Sequence, residues 1–101
     1  MTGAVILAMI FSFRSRETES VWRGNFVKGL PPGIQNVARR KLRMLNSARR
    51  LEDLRVPPAN RLEALKGERK GQHSICINDQ WRVCFVWTGT GARAVEIVDY
   101  H

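Results

Sequence analysis

Several side chains in the second half of this chain are of the types that bind phosphate groups and transfer protons. Arginine and lysine pair with phosphate oxygens, tyrosine stacks on unpaired bases, and histidine exchanges a proton near neutral pH. The residues with these properties, together with an acidic neighbour, are Lys66, Arg69, Lys70, His73, Arg82, Asp99, Tyr100 and His101. Their types predict a surface for a phosphate-containing partner, with Arg69, Lys70 and His73 as candidate binding residues.

Metal-free cleavage of RNA needs a base for the 2′-hydroxyl, cations for the phosphate and an acid for the departing 5′-oxygen. Lys66 and Arg82 are candidate cations, and His101 is a candidate acid. The base would be an acidic residue, either Glu63 or Asp99. Each residue also has a purely structural interpretation, such as a charged loop, an arginine paired with a carboxylate or a frayed terminus. Composition therefore leaves catalysis open.

The net charge of +8 is large for 101 residues. It favours a polyanionic partner, such as nucleic acid, an anionic membrane surface or an acidic protein, over a solvated basic surface without a partner. The two histidines and two cysteines have no metal-ligand spacing, and no glycine-rich nucleotide loop is present, so we expect neither a metal nor a cofactor. Two free thiols fit a reducing cytoplasm.

The chain length suits one domain. Residues 3–13 are apolar apart from Ser12. This stretch is too short to span a bilayer, and no positive charge precedes it as in a signal peptide, so we expect no membrane association. A first strand that begins near Met9 is the preferred interpretation. It divides the chain into an extension, residues 1–8, and a domain, residues 9–101.

Apolar periodicity predicts an α+β fold with helices ahead of a β-meander. The predicted helices cover residues 15–29 and 34–48, and the predicted strands cover 10–13, 75–77, 81–87 and 93–100. Helices that precede a meander pack on one face of a small antiparallel sheet, with the N-terminal strand at its edge. A hairpin loop of Asn78 and Asp79 alone would place Cys76 and Cys84 on opposite faces of that sheet.

Four motifs form a recognisable set in this sequence. Two lie near the N-terminus: Met9-Ile10-x-Ser12-Phe13-Arg14, and T-E-x-x-W over residues 18–22. The others are L-K-G-E-R-K-G-Q-H-S-I-x-I-N-D-Q-W-R-V-C-F over residues 65–85 and V-E-I-V-D-Y-H over residues 95–101. Together they resemble the motifs of HigB-type toxins of the RelE/ParE superfamily. The resemblance covers residues 9–101, nearly the whole chain.

This resemblance implies a cytoplasmic toxin with the RelE-like, microbial ribonuclease-like fold that cuts messenger RNA in the ribosomal decoding site. It implies a HigA-like helix-turn-helix antitoxin, and operator DNA contacted only through that antitoxin. The family's site maps onto Asp99, Tyr100 and His101, with Lys66 and Arg82 as the cations that face the phosphate. In this hypothesis Tyr100 orients or stacks on a base and His101 protonates the leaving oxygen.

One motif departs from the family pattern. Better-known members have His-Pro-Leu-Lys-Gly where this chain has Glu63-Ala64-Leu65-Lys66-Gly67. A histidine acts as either acid or base, whereas Glu63 suits a base and is a poor acid at neutral pH. Two other functions remain open on these residues. They are a gyrase poison like the ParE branch, and a non-catalytic basic module that binds RNA or the ribosome.

Overall fold

The structure, a computed structural model, describes residues 9–100, so the extension at 1–8 and His101 lie outside the described residues. Its helices are α1 (Arg16–Trp22) and α2 (Pro32–Ser47), and its strands are β1 (Glu63–Ala64), β2 (His73–Cys76), β3 (Trp81–Trp87) and β4 (Ala92–Asp99). Short 3-10 helices cover Leu51–Arg55, Pro58–Asn60 and Gly67–Arg69. The strands form one antiparallel sheet in the order β1-β2-β3-β4, and α1 and α2 pack against it. The predicted α+β architecture is confirmed.

Helix α1 is shorter than predicted. It begins as expected, because the Ser15 side chain accepts a hydrogen bond from the backbone N–H of Thr18. It ends at Trp22 and not near Gly29, because Gly24 takes the left-handed conformation (φ +95°) that closes a helix. The apolar spacing that suggested a longer helix included Phe26, and that side chain is exposed in the loop after α1.

Helix α2 supplies the main apolar stripe of the core. Pro32 occupies its first turn, where the missing N–H of proline costs no hydrogen bond. Ile34, Ala38, Leu42 and Leu45 are buried and pack with the apolar residues of the central strands, as the periodicity predicted. The helix therefore covers one face of the sheet, and the loops lie over the other face.

In the part of the N-terminal segment that the structure describes, residues 9–13 lie beside β4 as an edge and form isolated bridges in place of the predicted continuous strand. Ile10 pairs with Ala92 and Phe13 with Val95, both in parallel orientation. At Gly91 a Cβ atom would clash with the carbonyl oxygen of Met9, so glycine permits this close approach.

The hairpin between β2 and β3 has three loop residues, 78–80, where two were predicted. The Ile77 N–H donates to the Trp81 carbonyl oxygen at 2.8 Å and closes the loop. The Asn78 side-chain oxygen accepts from the N–H groups of Gln80 and Trp81, both at 2.8 Å, which stabilises the longer turn.

That extra residue shifts the register, so the prediction for the two cysteines is wrong. Cys76 pairs with Arg82, and Cys84 pairs with Ser74. Because residues 74, 76, 82 and 84 alternate with buried core residues, both cysteines lie on the same face of the sheet. Both are buried free thiols.

Strand pairing thus defines two faces of the sheet. The helix face packs against α2 and carries Ala64, His73, Ile75, Val83, Phe85, Ile97 and Asp99. The loop face carries Glu63, Ser74, Cys76, Arg82, Cys84, Glu96 and Val98. Most of the polar and charged side chains of the sheet therefore lie on the loop face.

Thr18 links α1 to the sheet, and its loss should destabilise the fold. Its hydroxyl oxygen accepts a buried hydrogen bond from the backbone N–H of Ile97 at 2.9 Å. We expect Thr18→Val to lower the free energy of unfolding by about 1–3 kcal/mol, because the Ile97 N–H loses its acceptor. Urea denaturation of this variant beside Thr18→Ser, which keeps the hydroxyl, isolates the hydrogen bond. Equal stability of the two variants would contradict this role.

Candidate active site

Arg82 is the centre of the polar cluster on the loop face. Its Nη1 atom donates a hydrogen bond to the Ser74 hydroxyl at 2.7 Å and forms an ion pair with the Glu63 carboxylate at 2.9 Å. Ser74 is fully buried. The Arg82 side chain is 14% exposed, whereas that of Glu63 is 48% exposed. The guanidinium is therefore held by the buried Ser74 hydroxyl and, at the sheet edge, by the solvent-accessible Glu63 carboxylate.

Tyr100 covers the same guanidinium from the end of β4. The Arg82 Cζ atom lies 5.2 Å from the centroid of the Tyr100 ring, in a cation–π arrangement. The Tyr100 backbone N–H donates to the Gln80 carbonyl oxygen at 2.6 Å, which fixes the chain as it leaves the strand. The residue is 39% exposed, so part of its surface is open to a partner.

The loop between β1 and β2 folds over the loop face. The Leu65 N–H donates to the Gln72 carbonyl oxygen at 2.9 Å and closes the loop at its base. Arg69 reaches Glu96 of β4 at 3.5 Å, so the loop crosses the sheet. Lys66 is exposed at the start of this loop, and its ammonium has no hydrogen-bond or ion-pair partner within residues 9–100. A free cation is thus placed on the loop that follows Glu63.

Cys84 lies beneath this cluster and is not suited to nucleophilic chemistry. Burial raises the pKa of its thiol above the ordinary value, against the opposing effect of the nearby Arg69 and Arg82. A thiol with a raised pKa is protonated at neutral pH and therefore unreactive.

The structure brings together part of the predicted set. Arg82 contacts both Glu63 and Tyr100, and Lys66 follows three residues after Glu63. Lys70 is exposed on the same loop. Arg69, predicted to bind phosphate, is paired with Glu96 and so also anchors the loop.

Two predicted residues lie on the helix face, away from Arg82. His73 packs against Phe85, with ring centroids 6.3 Å apart. The alternation of side chains along β4 places Asp99 on the helix face, and its carboxylate accepts a hydrogen bond from the Gln80 amide at 3.1 Å. His101, the predicted acid, lies outside the described residues.

Sequence reasoning missed Ser74 and Glu96, which fix Arg82 and Arg69. Had the hairpin loop been counted as three residues, Ser74 would have been placed on the same face as Arg82. In the described part of the chain, no three His, Cys, Asp or Glu side chains are grouped to hold a metal ion. No helix within residues 9–100 is long and apolar enough to cross a membrane.

Two curated relatives of this chain have names that state a function, one as a toxin and the other as an endoribonuclease. Toxin HigB-1 of Vibrio cholerae serotype O1 is 47% identical over 58 residues, which cover 57% of this chain and 61% of the relative. Endoribonuclease HigB of Proteus vulgaris is 26% identical over 93 residues, which cover 92% of this chain and 100% of the relative.

An uncharacterized protein of Haemophilus influenzae is 38% identical over 56 residues, 55% of each chain. The chain thus spans between about half and two thirds of the Vibrio and Haemophilus relatives. A family model described as RelE-like toxin of type II toxin-antitoxin system HigB matches residues 11–101. Because this match covers nearly the whole sequence, including every residue of the polar cluster, the chain belongs to the HigB family of RelE-like toxins of type II toxin–antitoxin systems.

Proposed function

We propose that this toxin is an endoribonuclease that cuts messenger RNA on the ribosome by metal-free attack of the 2′-hydroxyl on the adjacent phosphate. The observation behind the proposal is the cluster in which Arg82 contacts both Glu63 and Tyr100 on one face of the sheet. It joins a carboxylate, a preorganised guanidinium and an aromatic ring, which are the groups that this reaction on RNA uses. The Proteus relative, whose full length is matched by this chain, is named an endoribonuclease, and that name supports the same activity.

Glu63 is the better placed of the two candidate bases. Its carboxylate is half exposed and lies 2.9 Å from the Arg82 guanidinium, whereas Asp99 lies toward the opposite face of the sheet. A phosphate bound at Arg82 would therefore have the Glu63 carboxylate beside it. In the proposed reaction, Glu63 accepts the proton of the 2′-hydroxyl, and the 2′-oxygen then forms a bond to phosphorus.

Arg82 and Lys66 would stabilise the charge that develops on the phosphate. Ser74 and Glu63 fix the Arg82 guanidinium before substrate arrives, so little reorganisation is needed as charge builds. Lys66 contributes a second cation that no carboxylate within residues 9–100 neutralises. Tyr100 offers its ring for stacking on a base next to the cleaved bond.

His101 is the proposed acid for the departing 5′-oxygen, because its ordinary pKa lies near neutrality. As the bond between phosphorus and the 5′-oxygen breaks, the imidazolium gives its proton to that oxygen. The products are a 2′,3′-cyclic phosphate on one fragment and a free 5′-hydroxyl on the other. Analysis of the fragment ends tests this route, and a 5′-phosphate on the downstream fragment would contradict it.

The neutralisation of Lys66 should weaken RNA binding and slow cleavage. For Lys66→Met we expect kcat/KM to fall about 10- to 100-fold. The slope of log affinity against log salt concentration should decrease by the amount that corresponds to about one phosphate contact. The measurement is RNA affinity and cleavage rate across a salt series. Lys28→Met makes the same change of charge in the exposed loop after α1 and serves as the control. An equal effect of both variants would indicate general charge attraction and not a phosphate contact at Lys66.

The remaining partners follow from the family and form part of the proposal. A HigA-like helix-turn-helix antitoxin would neutralise the toxin in the cytoplasm. The pair, and not the toxin alone, would bind operator DNA. The ribosome would present the messenger RNA to the loop face.

A further inference from the structure

A cavity adjoins the cluster around Arg82, at the edge of the sheet formed by β1. It lies between this short edge strand and the 3-10 helix Leu51–Arg55. We call it the edge pocket. Its volume is about 160 Å³, and it is lined by Leu51, Glu52, Arg55, residues 62–64 and His73.

Glu63 connects the edge pocket to the proposed active site. It lines the pocket, and its carboxylate forms an ion pair with Arg82. A nucleotide with its phosphate at Arg82 would therefore have the pocket at its side. Pockets for drug-sized molecules begin at about 300 Å³, so a cavity about half that size suits a single base and not a whole nucleotide.

The lining of the edge pocket matches the surface of a base. Leu51 and Leu62 form an apolar wall on the helix face, and the His73 ring, which packs against Phe85, forms a flat wall. Bases that proteins read in single-stranded RNA are held between such walls and identified by hydrogen bonds at their edges.

Glu52 and Arg55 supply the groups that could read the edge of the base. They lie three residues apart in a 3-10 helix, a spacing that places both side chains on the same side of it. Neither has a hydrogen-bonded or ion-paired side-chain partner in the described part of the chain. A carboxylate accepts hydrogen bonds from amino groups, and a guanidinium donates two to an oxygen and a nitrogen acceptor on one edge, as in guanine.

We propose that the edge pocket binds the base of a nucleotide that flanks the cleaved phosphate, and that it favours a base with an amino group, guanine best of all. This inference rests on the proposed nuclease function and assigns a specificity site to it. Glu52 accepts from the amino group of the base, Arg55 donates to its acceptor atoms, and Leu51, Leu62 and His73 contact its faces.

The test is the base composition at cut sites in a pool of reporter messages translated in a cell extract. With the wild-type toxin, one position that flanks the cut should be enriched in amino-bearing bases over uracil. We expect Glu52→Gln to reduce that enrichment about 5- to 100-fold, and Arg55→Met to reduce the preference for guanine by a similar factor. Glu17→Gln on α1 and Arg40→Met on the exposed side of α2 make the same changes of charge elsewhere. They should leave the pattern unchanged.

The possible failures are distinguishable. If the wild-type toxin makes no cuts, the nuclease proposal fails and this inference fails with it. If the wild-type toxin cuts and the Glu52→Gln and Arg55→Met patterns match the wild type, the edge pocket is not a base site, although the nuclease proposal stands. Enrichment in uracil would equally overturn the inference. Both positions are exposed, so a thermal unfolding curve like that of the wild type is expected for each variant.

Discussion

Replacement of Arg82 by alanine is expected to lower the cleavage rate about 100- to 1,000-fold, the range found when a preorganised charge-stabilising group is removed. The guanidinium is held by Ser74 at 2.7 Å and by Glu63 at 2.9 Å, so its position is set before substrate binds. Arg82→Lys keeps the charge but loses the planar guanidinium that can pair with two phosphate oxygens, and it should recover only part of the rate. The measurement is kcat/KM on a translated reporter message.

Arg93→Ala is the matched control, because Arg93 is exposed on β4, where it pairs with Val86. Since Arg82 is mostly buried, unfolding by urea should accompany the rate measurement to separate loss of catalysis from loss of fold. A folded Arg82→Ala protein with a rate within threefold of the wild type would exclude Arg82 as the stabilising cation.

The second large effect is expected at Glu63. Glu63→Gln keeps the size of the side chain but removes its negative charge and its ability to take a proton. We expect a loss of about 100- to 10,000-fold in rate, the usual contribution of a general base. The acidic limb of the pH–rate profile, where the wild type loses its base by protonation, should disappear in the variant. The profile measured for both proteins checks this directly.

Glu68→Gln, an exposed change in the neighbouring loop, controls for the altered charge. Asp99→Asn separates the two candidate bases. If Asp99→Asn removes the acidic limb and Glu63→Gln leaves it in place, the base is Asp99. In that case the contact between Glu63 and Arg82 positions the arginine and takes no part in proton transfer.

Periodicity predicted the elements of the fold better than their ends. The apolar stripe of α2 and the alternation in β3 gave the two layers of the fold, because burial of one face dictates both patterns. The end of α1 depended on the conformation of Gly24, and the apolar spacing beyond it gave no sign of a break. Strand β1 has two residues and was not predicted, since a stretch that short shows no periodicity.

The site was predicted by residue type and not by geometry. Arg82, Glu63 and Tyr100 were chosen for their chemistry, and Arg82 contacts the other two. Whether His73 faced Arg82 depended on the register of β2 against β3, which one loop residue shifts. The position of Asp99 depended on the register of β4 against β3. The contact between Ser74 and Arg82 depends on the register of β2 against β3, and the length of the turn between these strands sets that register. The side chain of Asn78 stabilises that longer turn.

The most direct test of the proposed function is primer extension on a reporter message after brief induction of the wild-type toxin, His101→Ala and Glu63→Gln. The proposed mechanism predicts discrete cuts within codons for the wild type, present only when the message is translated and lost in both variants. Growth arrest by the wild type with the message intact would contradict the nuclease function and point to gyrase inhibition. Cuts that persist in both variants would contradict the proposed assignment of base and acid.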